Sequence, residues 1–533
     1  MHRQTLLLAA ILGLPAPGAG AFTLDILHFN DFHSRIESIN GFDSTCSGED
    51  EAAGKCFGGA ARLYTAINRL RDEAKGRGEP VLVLSAGDEF QGSLFFTTYS
   101  GKAELDFMNR LGLDAAALGN HEFDLGPAPL TDFVAGANFP VVFGNVDASA
   151  DPKLGPLAKA GPLILEIGGE KVGLLAVTTA DTPEISSPGP TVAFADPIAY
   201  LQAAVPALEA QGIDHILVLS HAGTPEDIRI AAAVPGIDAI IGGHSHTLFS
   251  NSDPKAPYPY PLMADGPDGA KVPIVQAGSY SKYLGDLKLS FDEAGKVTAA
   301  SGDSLLLDAS VTPDPGILEA IKGYAGPIEA LKARKVAEVG AEIDGSRETC
   351  RKVECPMGNL VAEAMLDRVK GQGVTIALQN GGGLRASIAA GPVSMGDVLA
   401  VLPFQNTLST FNLTGAGVVA ALENGFSQVE DGAGRFPQVA GLKVTWDPAA
   451  PAGARVAEVL VAQGADWVPI DPGKTYTVVS NNFMRAGGDG YAVLRDQASN
   501  AYDYGPNLEI VLADYLSAHP DYEPGTDGRI TPK

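Results

Sequence analysis

Val81-Leu82-Val83-Leu84-Ser85-Ala86-Gly87-Asp88 is an apolar run that ends on a glycine and a carboxylate. A run of this length bounded by turn residues reads as a buried strand, with the Gly-Asp as the loop at its C-terminal end. The layout recurs four times. Residues 26–29 precede Asp31-Phe32-His33, residues 115–118 precede Gly119-Asn120-His121-Glu122, residues 216–219 precede His221, and residues 239–241 precede Gly243-His244-Ser245-His246. Five buried strands carrying polar residues at their C-terminal ends predict an open α/β sheet arrangement, whose ligands bind at that edge.

The residue types in these loops point to a metal site. Carboxylate, amide and imidazole donors suit borderline to hard divalent ions, and seven candidates exceed the roughly four that one zinc needs. Two ions are therefore expected. Asp88 is the best bridge, because one carboxylate can hold two ions about 3.5–4 Å apart, the separation used for in-line phosphoryl displacement. Asp31, His33 and His246 are assigned to one ion, and Asn120, His221 and His244 to the other. The pattern reads as a two-metal phosphoesterase site. Five of the nine histidines fall in these loops, which is what separates the metal reading from that of isolated strand-end histidines. His2, His28, His215 and His519 are expected to have ordinary structural roles.

At the N-terminus, His2 and Arg3, an apolar stretch over residues 6–14 and Ala19-Gly20-Ala21 have the layout of a cleaved secretory signal over residues 1–21. That stretch is far shorter than the ~20 residues of a membrane span. A polar C-terminal tail lacks the signal for a lipid anchor. The expectation is a soluble periplasmic or secreted protein without a membrane anchor. A formal charge of −27 argues against nucleic acid or anionic membranes as partners. A small anionic substrate would be drawn by local positive charge from the metals and a few arginines. Four cysteines lie in two close pairs, and export favours the disulfides Cys46–Cys56 and Cys350–Cys355.

The length of 533 residues implies more than one domain. Residues 22–312 hold all the metal candidates, and residues 272–277 and 284–289 read as strands that finish this unit. After Val311-Thr312-Pro313-Asp314-Pro315-Gly316, apolar spacing near the helical period makes residues 313–340 a helical linker, with Gly326-Pro327 as a candidate break. Residues 341–533 form a second unit with its own unusual loops. These are Cys350-Arg351 to Cys355, Asn380-Gly381-Gly382-Gly383-Leu384-Arg385, Leu402-Pro403-Phe404, and Asn482-Phe483 followed by Gly487-Gly488-Asp489-Gly490.

Taken together, both sets of motifs in this order resemble the 5′-nucleotidase family of calcineurin-like metallophosphoesterases over nearly the whole chain. The two cysteine pairs and Arg351 resemble the family's animal ecto-enzymes, whereas the missing anchor fits a bacterial periplasmic or secreted version. The resemblance implies a mixed α/β (α+β) fold, with a four-layer metallophosphoesterase sandwich joined by the helical linker to a mixed α/β substrate-recognition domain. His121 and Asp124 are similar to the family's catalytic dyad, in which the imidazole stabilises or protonates developing charge and the carboxylate orients the ring. The same resemblance implies Arg351 and Arg385 on phosphate, Phe404 and Phe483 around the base, Asn380 at the base edge and Asp489 on the ribose hydroxyls. It also implies two divalent ions, zinc foremost and manganese or cobalt as alternatives. His246 departs from the family's amide at that position, which leaves metal preference open.

The expected activity is hydrolysis of nucleoside 5′-monophosphates. Rivals within the family are a UDP-sugar diphosphatase and a 2′,3′-cyclic nucleotide phosphodiesterase with 3′-nucleotidase activity. A related thiosulfohydrolase is disfavoured by the paired aromatics. A binding protein without turnover is disfavoured by the intact ligands and dyad. Base preference, phosphate position, native metal and oligomeric state are not fixed by these residues.

Overall fold

The computed structural model describes residues 22–533 apart from 42, 44, 160, 268, 405, 465 and 504. The expected signal segment, residues 1–21, lies outside the described residues. Each of the five apolar runs is a strand, found at Phe22–Phe29, Val81–Ser85, Ala115–Ala117, His215–His221 and Ala239–Gly242. They belong to two six-stranded sheets. The first runs in the order Val297–Leu306, Tyr283–Phe291, Phe22–Phe29, Val81–Ser85, Ala115–Ala117, Val141–Val142. The second runs Leu262–Asp265, Lys271–Val275, Ala239–Gly242, His215–His221, Glu170–Thr178, Leu163–Ile167.

Alternation along the first sheet explains why it needs cover on both faces. Ile26, Leu82 and Leu84 enter a core shared with Leu217, Leu219 and Ile240 of the second sheet. Leu27, Phe29 and Val83 turn the other way, onto Leu63, Ile67, Phe107 and Met108 of the helices Ala60–Arg77 and Lys102–Leu111. The second sheet is backed by Leu201, Val205 and Leu208 of helix Pro197–Glu209 and by Ile230 of helix Thr224–Ala233. Central strands in both sheets are parallel, so their C-terminal ends share an edge. That parallelism gathers the ligand loops.

Helix Pro315–Lys332 starts on a capped Asp314, whose carboxylate accepts the Ile317 N–H, and continues through Pro327 without a break. The linker differs from expectation in its last part. Lys335–Val339 is a strand paired antiparallel with Gly391–Ser394, because the short Lys-Val-Ala-Glu-Val alternation fits a sheet edge better than another helical turn. The second unit holds a five-stranded sheet ordered Pro437–Ala440, Ile376–Asn380, Thr475–Asn481, Leu408–Thr414, Ser499–Tyr502. A four-stranded sheet shares the core beside it, where Trp446 of its strand Leu442–Trp446 stacks 4.8 Å from Phe426 of helix Gly415–Phe426.

The Cys46–Cys56 and Cys350–Cys355 pairs are disulfides. Among the described residues, no helix is long and apolar enough to cross a membrane.

Candidate metal centre

All seven predicted ligands converge where the two sheets meet. The first sheet contributes Asp31, His33, Asp88 and Asn120 from three strand ends, and the second contributes His221, His244 and His246 from two. The loops are tied to each other by backbone: the Asp31 N–H donates to the Gly87 carbonyl and the His33 N–H to the Asp88 carbonyl, both at 2.9 Å. A Cβ on Gly119 would collide with the Asp88 carboxylate, so this loop closes on the next one only with glycine there.

Besides a convergence of His121 with His33 and Asp88, two donor groups follow the assignment among the described residues. In one, His246 Nε2 lies 3.1 Å from Asp31 Oδ1 and 3.1 Å from His33 Nε2. In the other, His221 Nε2 lies 3.0 Å from Asp88 Oδ2, and His244 Nδ1 lies 2.9 Å from Asn120 Oδ1. Asp88 stands between them, with the same Oδ2 3.5 Å from His33 Nε2.

These groups fit divalent cations. His33 Nδ1 donates to the Gln91 carbonyl at 3.0 Å and His221 Nδ1 to that of Ala86 at 2.7 Å, which turns the Nε2 lone pairs inward. Among the described residues, Asp31 Oδ1 and His221 Nε2 are buried and poorly aligned for hydrogen bonds, although each lies close to another ligand atom, at 3.1 Å and 3.0 Å. Burial holds His244 down to about 3 and, with the neighbouring arginines, keeps His33 and His246 well below the ordinary imidazole range, so these rings are neutral as ligands require. His221 is different. Burial works against its charge, but the Asp88 carboxylate outweighs it and raises the ring to about 10. A cation would take the place of that proton.

The backbone at these loops is unusual. Asp31, His33, Asp88, His244 and His246 all adopt left-handed conformations, with φ of 50°, 49°, 59°, 70° and 57°. Such residues outside glycine cost on the order of 1–3 kcal/mol each and cluster at functional sites.

His121 follows Asn120 in a single turn of 3₁₀ helix, His121–Phe123, that brings Asp124 back onto it. His121 Nδ1 lies 2.6 Å from Asp124 Oδ2, and the ring stands 5.1 Å from that of His33. Burial pulls the imidazole pKa down, but the Asp124 and Asp88 carboxylates together raise it above its ordinary value.

From the second unit, Arg385 reaches across to place Nη2 3.1 Å from His33 Nε2, with its guanidinium carbon 5.6 Å from the Phe404 ring centre. The Phe404 ring lies 5.8 Å from His121. Arg351 is buried with its Nε unpartnered, and burial and the charges of Arg347 and Arg385 depress its pKa. The glycine run brings these arginines together. A Cβ on Gly381 would collide with the Cys350 carbonyl, so the loop that carries Arg385 lies directly against the disulfide loop that carries Arg351. Asn380 and Asp489 are bonded to each other, Nδ2 to Oδ2 at 2.6 Å, and Asn481 donates to Asn380 Oδ1 at 2.9 Å. Phe483 is half-buried at the edge of the second unit's core.

Two contributors went unnoticed in the sequence. Arg347, one helical turn before Arg351, faces the site and depresses His246 and His244; its four-residue spacing was the available signal. Glu122 accepts N–H bonds from Gly119, Asp88, Glu89 and Phe90 at 2.6–3.1 Å and so locks two ligand loops together. Nothing in its own position marks that role. Of the other histidines, His28 is buried against Tyr260, His215 packs on Phe22 and Phe291, and His519 stacks on Tyr515.

Residues 24–248 match the family model for calcineurin-like phosphoesterase, and residues 332–496 match that for the 5′-nucleotidase C-terminal domain. The chain is 36% identical to the 5′-nucleotidase of Homo sapiens over 550 residues, covering 98% of this chain and 93% of that protein. It is also 36% identical to the snake venom 5′-nucleotidase of Naja atra over 537 residues, with 96% and 99% covered. The solved structure of the 5′-nucleotidase precursor from Thermus thermophilus superposes with a TM-score of 0.90 at 43% identity, over 96% of this chain and 99% of that one. With both family domains present in order and the similarity running end to end, the chain belongs to the 5′-nucleotidase family, metal-dependent hydrolases of phosphoric monoesters.

Proposed function

We propose that this protein is an exported 5′-nucleotidase that releases phosphate from nucleoside 5′-monophosphates with two divalent ions, zinc foremost. The carrying observation is the meeting of two chemistries at one place. Two donor groups and the His121–Asp124 pair come from the first unit, and Arg385 and Phe404 of the second unit lie within reach of them.

Asp31, His33 and His246 would hold one ion, Asn120, His221 and His244 the other, and Asp88 both. Bound there, the ions supply Lewis-acid polarisation of the phosphate and activation of water. The remaining work belongs to side chains. Arg385 and Arg351 grip phosphate oxygens, for which a guanidinium fork is matched in shape and charge. His121, its Nδ1 held by Asp124, offers Nε2 to the leaving oxygen as a proton donor. Phe404 and Phe483 flank the base, while the Asn380–Asp489 pair meets the base edge and the ribose. The two disulfides favour an oxidising compartment outside the cytoplasm.

A phosphate-release panel tests the substrate. AMP and UMP should be hydrolysed faster than UDP-glucose, 2′,3′-cyclic AMP or 3′-AMP. A clear preference for UDP-glucose or the cyclic nucleotide would replace this reading with a rival activity. Metal analysis should give two ions per active chain, and a purified active protein carrying one would reject the pair.

Base recognition makes a separate prediction. Phe404 and Phe483 are half-buried, unlike the fully buried Phe29, Phe107 and Phe411 of the cores. Stacking contributes about 1–3 kcal/mol per base, so Phe404→Ala or Phe483→Ala should lower kcat/KM for AMP by about 5–150-fold. Hydrolysis of p-nitrophenyl phosphate should be spared. A parallel loss on both substrates together with a lowered Tm would assign these rings to packing instead.

A further inference from the structure

We propose that Ser186 is a positioning residue of the active site, holding Asp124 in the rotamer that orients His121. The inference rests on the proposed hydrolytic role of the dyad. Among the described residues, each of the two Asp124 carboxylate oxygens has one partner. Oδ2 faces His121 Nδ1 at 2.6 Å, and Oδ1 accepts the Ser186 hydroxyl at 2.7 Å. A carboxylate held only by the imidazole keeps freedom about its terminal torsion; a second donor on the opposite oxygen removes it.

The support behind Ser186 makes this an anchor rather than a chance surface contact. Ser186 is 9% exposed, and its N–H donates to the Thr182 carbonyl at 2.9 Å. Thr182 in turn bonds through Oγ1 to the Thr179 carbonyl at 2.7 Å, and the Thr179 N–H donates to the carbonyl of His221 at 2.9 Å. Ser186 is thus tied, in three short steps, to a strand end that carries a predicted metal ligand. The same segment reaches the other unit, because the short helix Thr182–Ile185 packs against the Gly488–Gly490 turn that carries Asp489. The hydroxyl therefore stands where the arrangement of the two units can bear on the dyad.

The test uses the full-length, metal-loaded protein. Ser186 has extended backbone, φ −150°, which β-branched residues accept, so Thr and Val provide a pair of equal shape that differs in the hydroxyl. Ser186→Val should lower kcat on AMP about 10-fold with KM and metal content unchanged, and Ser186→Thr should recover most of that rate. In an Asp124→Ala background the Ser186→Val change should have less than a twofold further effect, because its target is gone. Equal losses in the Val and Thr variants, independent multiplication of the Ser186 and Asp124 effects, or loss of metal would overturn the proposal. Ser186→Ala, with the least added bulk, replaces the pair if neither folds, and must lose rate in the wild-type background but not in Asp124→Ala. Should the wild-type protein prefer another phosphoester, the nucleotide reading falls and the same cycle is run on that substrate.

Discussion

His121→Ala is expected to keep its metal and lose about 10²–10⁴ in kcat, the usual scale for a positioned acid–base group. The imidazole is not one of the seven assigned ligands, although it converges with His33 and Asp88, so retained metal content is part of the test. What its removal takes away is the proton offered to the leaving oxygen. The loss should therefore be smaller for p-nitrophenyl phosphate, whose leaving group is stable as an anion, than for AMP, whose alkoxide is not. Asp124→Ala should cost less than His121→Ala on either substrate. Near-normal AMP turnover in a metal-loaded His121→Ala protein would remove this residue from the mechanism.

Asp88→Asn is expected to impair metal binding and turnover together, because one change reaches both donor groups. The carboxylate is 2% exposed, its Oδ2 serves the His221 and His33 sides, and its Oδ1 accepts the backbone N–H of His121 at 2.9 Å. Burial acts to raise its pKa, but His221 and His121 outweigh burial and hold it well below the usual carboxylate range. An amide keeps the shape and deletes the charge. Metal content per chain should fall for both ions together, and kcat should drop by more than about 10³-fold, since a bridging ligand stabilises both ions of an in-line displacement. Loss of a single ion with the other retained at full occupancy would show that Asp88 does not bridge.

Much of this arrangement was legible because it is written in local patterns. Five apolar runs ending in Gly, Asp, Asn or His specify buried strands with polar ends, and parallel pairing brings such ends together wherever they lie in the chain. The linker's last strand was missed because five residues carry too little periodicity to separate a sheet edge from a helix end. Glu122 and Ser186 were illegible for a different reason. A glutamate that accepts four backbone N–H groups, or a serine that meets an aspartate 62 positions away, acts through contacts that only the folded chain creates. Arg347 lay between these cases, since its one-turn spacing from Arg351 was visible but its orientation was not.

The left-handed backbone at Asp31, His33, Asp88, His244 and His246 bears on laboratory evolution of the protein. Glycine accepts that conformation freely, while an L-residue there is strained by about 1–2 kcal/mol. Without cations, replacing a ligand by glycine is therefore expected to relieve that strain, but least usefully at Asp88 and Asp31, whose carboxylates respectively pair with buried His221 and accept the His244 N–H. A library sorted for thermal resistance alone would accumulate inactive winners at His33, His244 and His246, and selection for turnover in the presence of metal is what would keep them out.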